Sequence, residues 1–156
     1  MTVLTEGRHP GEFVMTEANG QRSRETITIV SGAGVIAAGT VLGKITASGK
    51  YNASAIGAAD GSETAAAVNL YEVDATSADV AVAAIVRDAE INGNVLTYHA
   101  DRDLAAEKTS ANDDLATAGI TASISSNSHW MSVIDGDGTF GGMSAGGTST
   151  NSGDNF

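Results

Sequence analysis

Thr26-Ile27-Thr28-Ile29-Val30 alternates polar and apolar side chains with a period of two, and Ser31-Gly32-Ala33-Gly34 ends the run. Successive side chains of a strand project to opposite faces, so this stretch predicts a β-strand with one buried face. The reading extends along the chain. Ala38-Gly39-Thr40 launches Val41-Leu42-Gly43-Lys44-Ile45-Thr46, the turn Ala47-Ser48-Gly49-Lys50 follows, and Tyr51 starts the returning arm of a hairpin. Ala65–Val73 is compatible with a strand or a short helix, and the strand is favoured. Val80-Ala81-Val82-Ala83-Ala84-Ile85-Val86-Arg87 predicts a largely buried strand.

Two local signals complete the pattern. In Glu90-Ile91-Asn92-Gly93-Asn94-Val95-Leu96 the Asn-Gly pair sits between two extended runs, which predicts a type I′ hairpin turn because both central residues tolerate positive φ. A helix is expected with Ser110 as N-cap, Asp113 in the capping-box position beside Asp114, Leu115 facing inward and Gly119 just past the end. Ile120, Ala122 and Ile124 alternate as a final strand, and no repeat occurs at solenoid periods.

Composition narrows the function classes. The 156 residues suit one domain with an extension, long enough to bury a core without staples. Cys is absent, which removes disulfides, thiolate metal sites and cysteine nucleophiles. Eight Lys and Arg against 19 Asp and Glu give a formal charge of -11, so phosphate backbones and anionic membranes are disfavoured partners. No apolar run reaches membrane-spanning length, and Met1 leads into Thr2–Thr5 without a signal-peptide pattern, so a soluble, unexported product is expected. The 19 Gly and abundant Ala, Ser and Thr suit tight turns and close-packed strands, and the three His lack metal-ligand spacing. The expectation is a scaffold rather than an enzyme.

Three zones differ in composition. Residues 1–26 are polar with four acids and three bases, and hold the turn His9-Pro10-Gly11 and an apolar island, Phe13-Val14-Met15. Residues 27–125 carry nearly all the Ile, Val and Leu. Residues 126–156 lack Lys and Arg, contain seven Gly and read as a Gly/Ser-rich extension.

Four stretches together resemble the head decoration proteins of lambdoid and related tailed phages, the decoration protein D family. They are Gly11-Glu12-Phe13-Val14-Met15-Thr16-Glu17-Ala18-Asn19-Gly20 running into Ser23-Arg24-Glu25-Thr26, Ala38-Gly39-Thr40-Val41-Leu42-Gly43-Lys44 with Gly49-Lys50-Tyr51, Arg87-Asp88-Ala89-Glu90-Ile91 with its Asn-Gly turn, and Leu115-Ala116-Thr117-Ala118-Gly119-Ile120. They span about residues 11–125 in family order, and residues after 126 fall outside the match. The resemblance implies a small, mainly β domain of the β-clip type with one short helix near its carboxyl end. It further implies a homotrimer on the outer surface of the virion, made in the bacterial host cytoplasm. That trimer would seat at three-fold and quasi-three-fold sites of the expanded head and reinforce it against DNA pressure. The family carries no catalytic residues and no cofactor.

On this reading residues 1–26 form an extended capsid-binding arm, residues 27–125 the β domain and residues 126–156 an extension of unassigned role. Gly11, Glu12, Phe13, Val14, Met15 and Thr16 are expected to add a strand to an open edge of the major capsid protein. Arg8, Arg22 and Arg24 either pair with acids on the shell or simply solvate the arm. One arm is a weak clamp, since ordering it costs nearly what its contacts return, whereas three arms on a rigid trimer act at high effective concentration.

Asp135-Gly136-Asp137-Gly138 starts like a calcium loop, yet Thr139 and Gly146 occupy positions that need acidic ligands, so a hairpin turn between Val133-Ile134 and Thr139-Phe140 is favoured. His99 and Asp101 lack a Gly-x-Ser-x-Gly elbow, so a surface or interface histidine is expected rather than a triad member. Trp130 and Phe140 could anchor the extension on a partner. The competing function is therefore a displayed knob whose extension engages host surface or glycans.

Overall fold

The computed structural model describes residues 6–123, a mainly β unit with a single α-helix. Five strands close a barrel. β2 (Arg24–Ile29) runs antiparallel to β8 (Val80–Ile85) in unbroken register from Arg24 opposite Ile85 to Ile29 opposite Val80. β8 continues to β6 (Ala65–Asn69), β6 to β4 (Val41–Lys44), and β4 to β5 (Tyr51–Ala53). β5 closes the ring on β2 through the parallel pair Ile29 and Tyr51. A two-stranded ribbon, β3 (Val35–Ile36) with β7 (Val73–Asp74), stands beside the barrel. A separate three-stranded sheet has β9 (Ala89–Asn92) at its centre, antiparallel to β1 (Val14–Glu17) and parallel to β10 (Ile120–Ser123). The helix α1 (Ala105–Thr117) leads into β10.

Period-two patterning explains the barrel. Ile27 and Ile29 of β2 point inward and are buried, while Thr26 faces solvent. Leu42, Ala67, Val82 and Ala84 meet them in the barrel core. A second core lies between the barrel, the three-stranded sheet and α1, where Val41, Val68, Ile85, Ile91, Leu115 and Ile120 pack together. β4 is covered on both faces, which is why Val41 and Leu42 are both buried although they point in opposite directions.

Several expectations hold. The β4–β5 hairpin, the strand assignments for β2, β6 and β8, the buried Leu115 and the helix stop at Gly119 (φ +84) all appear in the structure. Ile124, expected to extend β10, lies outside the described residues.

Three readings are corrected. The Asn92-Gly93 hairpin does not form: Asn92 has φ -83 and caps a 3₁₀ turn, Gly93–Val95, by accepting from the Asn94 N–H at 3.0 Å. Its neighbour β9 finds partners in β1 and β10 instead, so the chain after the turn is free to run beside Thr40, where Thr97 bridges in parallel. The helix starts at Ala105 rather than after Ser110. Glu107 reaches back to the Leu104 N–H at 3.0 Å and so satisfies an orphan donor of the first turn, leaving Ser110 inside the helix. The third correction concerns the boundary at residue 26. β2 begins at Arg24, β1 pairs within the domain, and Phe13 is wholly buried in its core, so the described part of the segment from residue 11 on is built into the fold.

Candidate functional site

The residues expected to meet a partner gather at the β1 edge. Gly11, with φ +76, turns the chain so that the Val14 N–H reaches the Gly11 carbonyl at 3.0 Å. This delivers Phe13 into the second core, where its carbonyl accepts from the Asn92 N–H at 2.7 Å. Val14 is half-buried, and from there the strand faces outward. Met15 is 59% exposed, and Glu12, Thr16 and Glu17 are exposed as well. The register shifts between Val14 and Thr16, a local irregularity that re-aims Met15 away from the core. Thr16 and Thr121 flank Glu90 across the sheet, and the Thr16 hydroxyl donates to the Glu90 carboxylate at 3.1 Å. Among the described residues, β1 and β10 each have one unpaired edge.

The turn after β1 is tied down closely. Ser23 is buried: its Oγ accepts from the Ala18 N–H at 2.9 Å and donates to the Asp88 carbonyl at 2.7 Å. Arg22 pairs with Asp88 at 2.8 Å, and Arg24 grips Glu17 with two bonds of 2.8 Å. That bidentate bond raises the Arg24 pKa. Arg8 pairs with Glu12 at 3.4 Å. Each of the three arginines, considered from the sequence as either pairing with shell acids or solvating the arm, has an acid of its own chain beside it. For Arg24 the reason is proximity, since β2 places it beside Glu17 of β1 and a two-point fork satisfies guanidinium geometry.

Arg102 is a residue that sequence reading missed. It is 4% exposed, yet its partners are neutral oxygens: Nε donates to the Ser54 carbonyl at 2.9 Å, Nη1 to the Glu107 carbonyl at 3.1 Å, and Nη2 to Ser54 Oγ at 3.0 Å and the Glu63 carbonyl at 2.6 Å. It thereby joins the chain after β5, the loop before β6 and the start of α1. Nothing in the run Asp101-Arg102-Asp103 marks this role, because all its acceptors but the Glu107 carbonyl are far away in sequence. We expect Arg102→Met to lower stability by about 2–3 kcal/mol in urea unfolding, because it strips donors from several buried oxygens. A midpoint within experimental error of wild type would refute this.

His99 pairs with Asp101 at 2.7 Å, and the other Asp101 oxygen accepts from the Gly57 N–H at 3.3 Å. Both are exposed, and the pair serves to fasten two loops. Hydrogen bonds from Ser62 depress the pKa of Asp60, and Thr76 does the same for Asp74, as expected of aspartates that cap turns. Among the described residues no group of three or more His, Asp or Glu could hold a metal ion, and no helix is long and apolar enough to cross a membrane. Asp135–Gly138, Trp130 and Phe140 lie outside the described residues.

The described residues thus form a closed small barrel with a side sheet whose outer strands have open edges. The profile of the family described as Bacteriophage lambda head decoration protein D matches residues 3–120, and the chain belongs to that family. It is a decoration protein of the bacteriophage head, located on the virion capsid, and its family is structural rather than enzymatic. A search of curated proteins returned no match.

Proposed function

We propose that the protein cements the expanded phage head as a trimer on its outer surface, seated at three-fold and quasi-three-fold sites, with the β1 edge joining an open strand of the major capsid protein. The observation that carries this reading is the exposed β1, which has β9 as its one strand partner among the described residues. Such an edge is a template for strand addition.

On this reading the residues of the arm divide the labour. Phe13 and Val14 root the strand in the core, Gly11 sets its angle, and Glu12, Met15 and Thr16 present side chains outward. Arg22 and Arg24 hold the returning chain through Asp88 and Glu17, so the edge is rigid before it docks. A preformed edge loses less entropy on binding than a loose arm. Three such edges on one trimer would still act together.

Met15→Asp tests the proposal. The variant should melt like wild type and bind expanded heads about tenfold more weakly or worse. Undiminished head binding defeats the β1 reading.

A further inference from the structure

The chain contains two Asn-Gly pairs, Asn19-Gly20 and Asn92-Gly93. Glycine has no side chain to shield its nitrogen, so in such a pair that nitrogen can attack the asparagine amide carbon. In a folded protein the reaction depends on local freedom, because ring closure needs the asparagine main chain and side chain to rotate together. The fold treats the two pairs in opposite ways.

Asn92 is held at each point the reaction would have to move. It ends β9, which is paired on both sides by β1 and β10. Its N–H donates to the Phe13 carbonyl at 2.7 Å, its side-chain oxygen accepts from the Asn94 N–H at 3.0 Å, and Gly93 is buried in the 3₁₀ turn. Asn19 has none of these ties. It lies exposed with Gly20 in the turn between β1 and β2, and among the described residues neither its side chain nor the Gly20 N–H makes a hydrogen bond. A Cβ on Gly20 would meet nothing within 4 Å, so a ring has room to form there. The chain on either side is fastened: the Ala18 N–H reaches Ser23 Oγ at 2.9 Å and the Asp88 carbonyl at 3.1 Å, and the Arg24 N–H reaches the Gln21 carbonyl at 3.1 Å. The unbonded stretch is short and centred on the reacting pair.

We infer that Asn19-Gly20 is a self-modifying site, at which the folded protein converts asparagine to aspartate and isoaspartate with water as the only co-reactant. The Gly20 nitrogen bonds to Asn19 Cγ, the Cγ–Nδ2 bond breaks, and the side-chain nitrogen leaves as ammonia with the proton from Gly20. Water then opens the resulting succinimide ring at either carbonyl. Attack at Cγ restores the main chain and leaves an aspartate. Attack at the main-chain carbonyl leaves the peptide running through Cγ, one atom longer, as isoaspartate. Either product adds a negative charge to the turn whose Arg22 and Arg24 are held by Asp88 and Glu17, and isoaspartate also lengthens the turn that carries β1 into β2. The inference does not rest on the capsid-binding reading.

The test is incubation of the full-length folded protein in warm, mildly alkaline buffer, sampled over weeks and read by tryptic peptide mass mapping. Trypsin cuts after Arg8, Arg22, Arg87 and Arg102, which places each pair in a peptide of its own. Fragmentation locates the converted residue, and a zero-time digest corrects for conversion during digestion. In the folded protein Asn19 should convert at least about tenfold faster than Asn92, and its two products should separate by chromatography. In urea strong enough to unfold the chain, the two asparagines should react within about threefold of each other, because the fold no longer protects Asn92. An Asn19 that stays intact in the folded protein overturns the inference, and so do equal rates at the two sites. A rate ratio unchanged in urea would also overturn it, since the difference would then belong to the neighbouring residues. Aspartate as the sole product would eliminate the ring route and the inference with it.

Discussion

Gly43→Ala should abolish stable folding, with a loss of more than about 3 kcal/mol measured by urea or thermal unfolding. A methyl group on this glycine would stand 1.9 Å from the Ser62 carbonyl oxygen and 2.7 Å from the Ser62 Cα. These are main-chain atoms, so no side chain can swing aside. Nor can the loop retreat cheaply. Its Asp60 carbonyl accepts from Thr46 at 2.8 Å, Asp60 also holds the Ser62 N–H at 3.0 Å, and the Glu63 carbonyl is gripped by both Ser54 and Arg102. β4 is equally fixed, being paired on both sides within the barrel. Gly57→Ala is the control: a Cβ there meets nothing within 4 Å, so its melting temperature should match wild type. A Gly43→Ala protein that melts within a few degrees of wild type would show that the loop can yield.

Phe13→Ala should cost about 3–5 kcal/mol, the range for emptying a fully buried aromatic site. For a domain of this size the loss corresponds to a fall in melting temperature on the order of 10–20 °C. The ring is 0% exposed and lies against Gly39, so close that a methyl group on that glycine would come within 3.3 Å of its edge. Gly39 also has φ +76, a conformation natural to glycine, which leaves the ring its space. Met15→Ala, two residues along, removes a side chain that is 59% exposed and should change stability by less than about 0.5 kcal/mol. The contrast separates a core plug from a docking residue. A Phe13→Ala domain with unchanged melting would mean that residues before β2 contribute nothing to the fold.

Much of the fold was legible because it rests on local rules. Thr26–Val30 alternates, so β2 could be read with its inward and outward faces correctly assigned. Ser48-Gly49 sits between two extended runs, and the hairpin of β4 and β5 follows. Gly119 ends α1 because a left-handed residue is what a helix terminus requires. The joint pattern of four short stretches was also enough to point to the family, which the match over residues 3–120 bears out.

Other features had no local signature. Phe13-Val14-Met15 reads the same whether it plugs its own core or meets a neighbour, since both roles need apolar side chains after a turn. Asn92-Gly93 has the chemistry of a tight hairpin, but a turn type is chosen by the strands it connects, and β9 is claimed by β1 and β10. Arg102 is invisible for the same reason: apart from the Glu107 carbonyl, its acceptors lie on segments 39 or 48 residues away.

By itself the sequence determined the strand periods, the helix terminus, the acidic surface and membership of the head decoration family. Only the tertiary structure decided which apolar residues face inward at the amino end, which edges stay open, and which charges are already satisfied. Side-chain alternation and turn chemistry act over a few residues, so they can be read along the chain. Burial and charge pairing depend on what distant segments bring alongside, and that is known only once the barrel has closed.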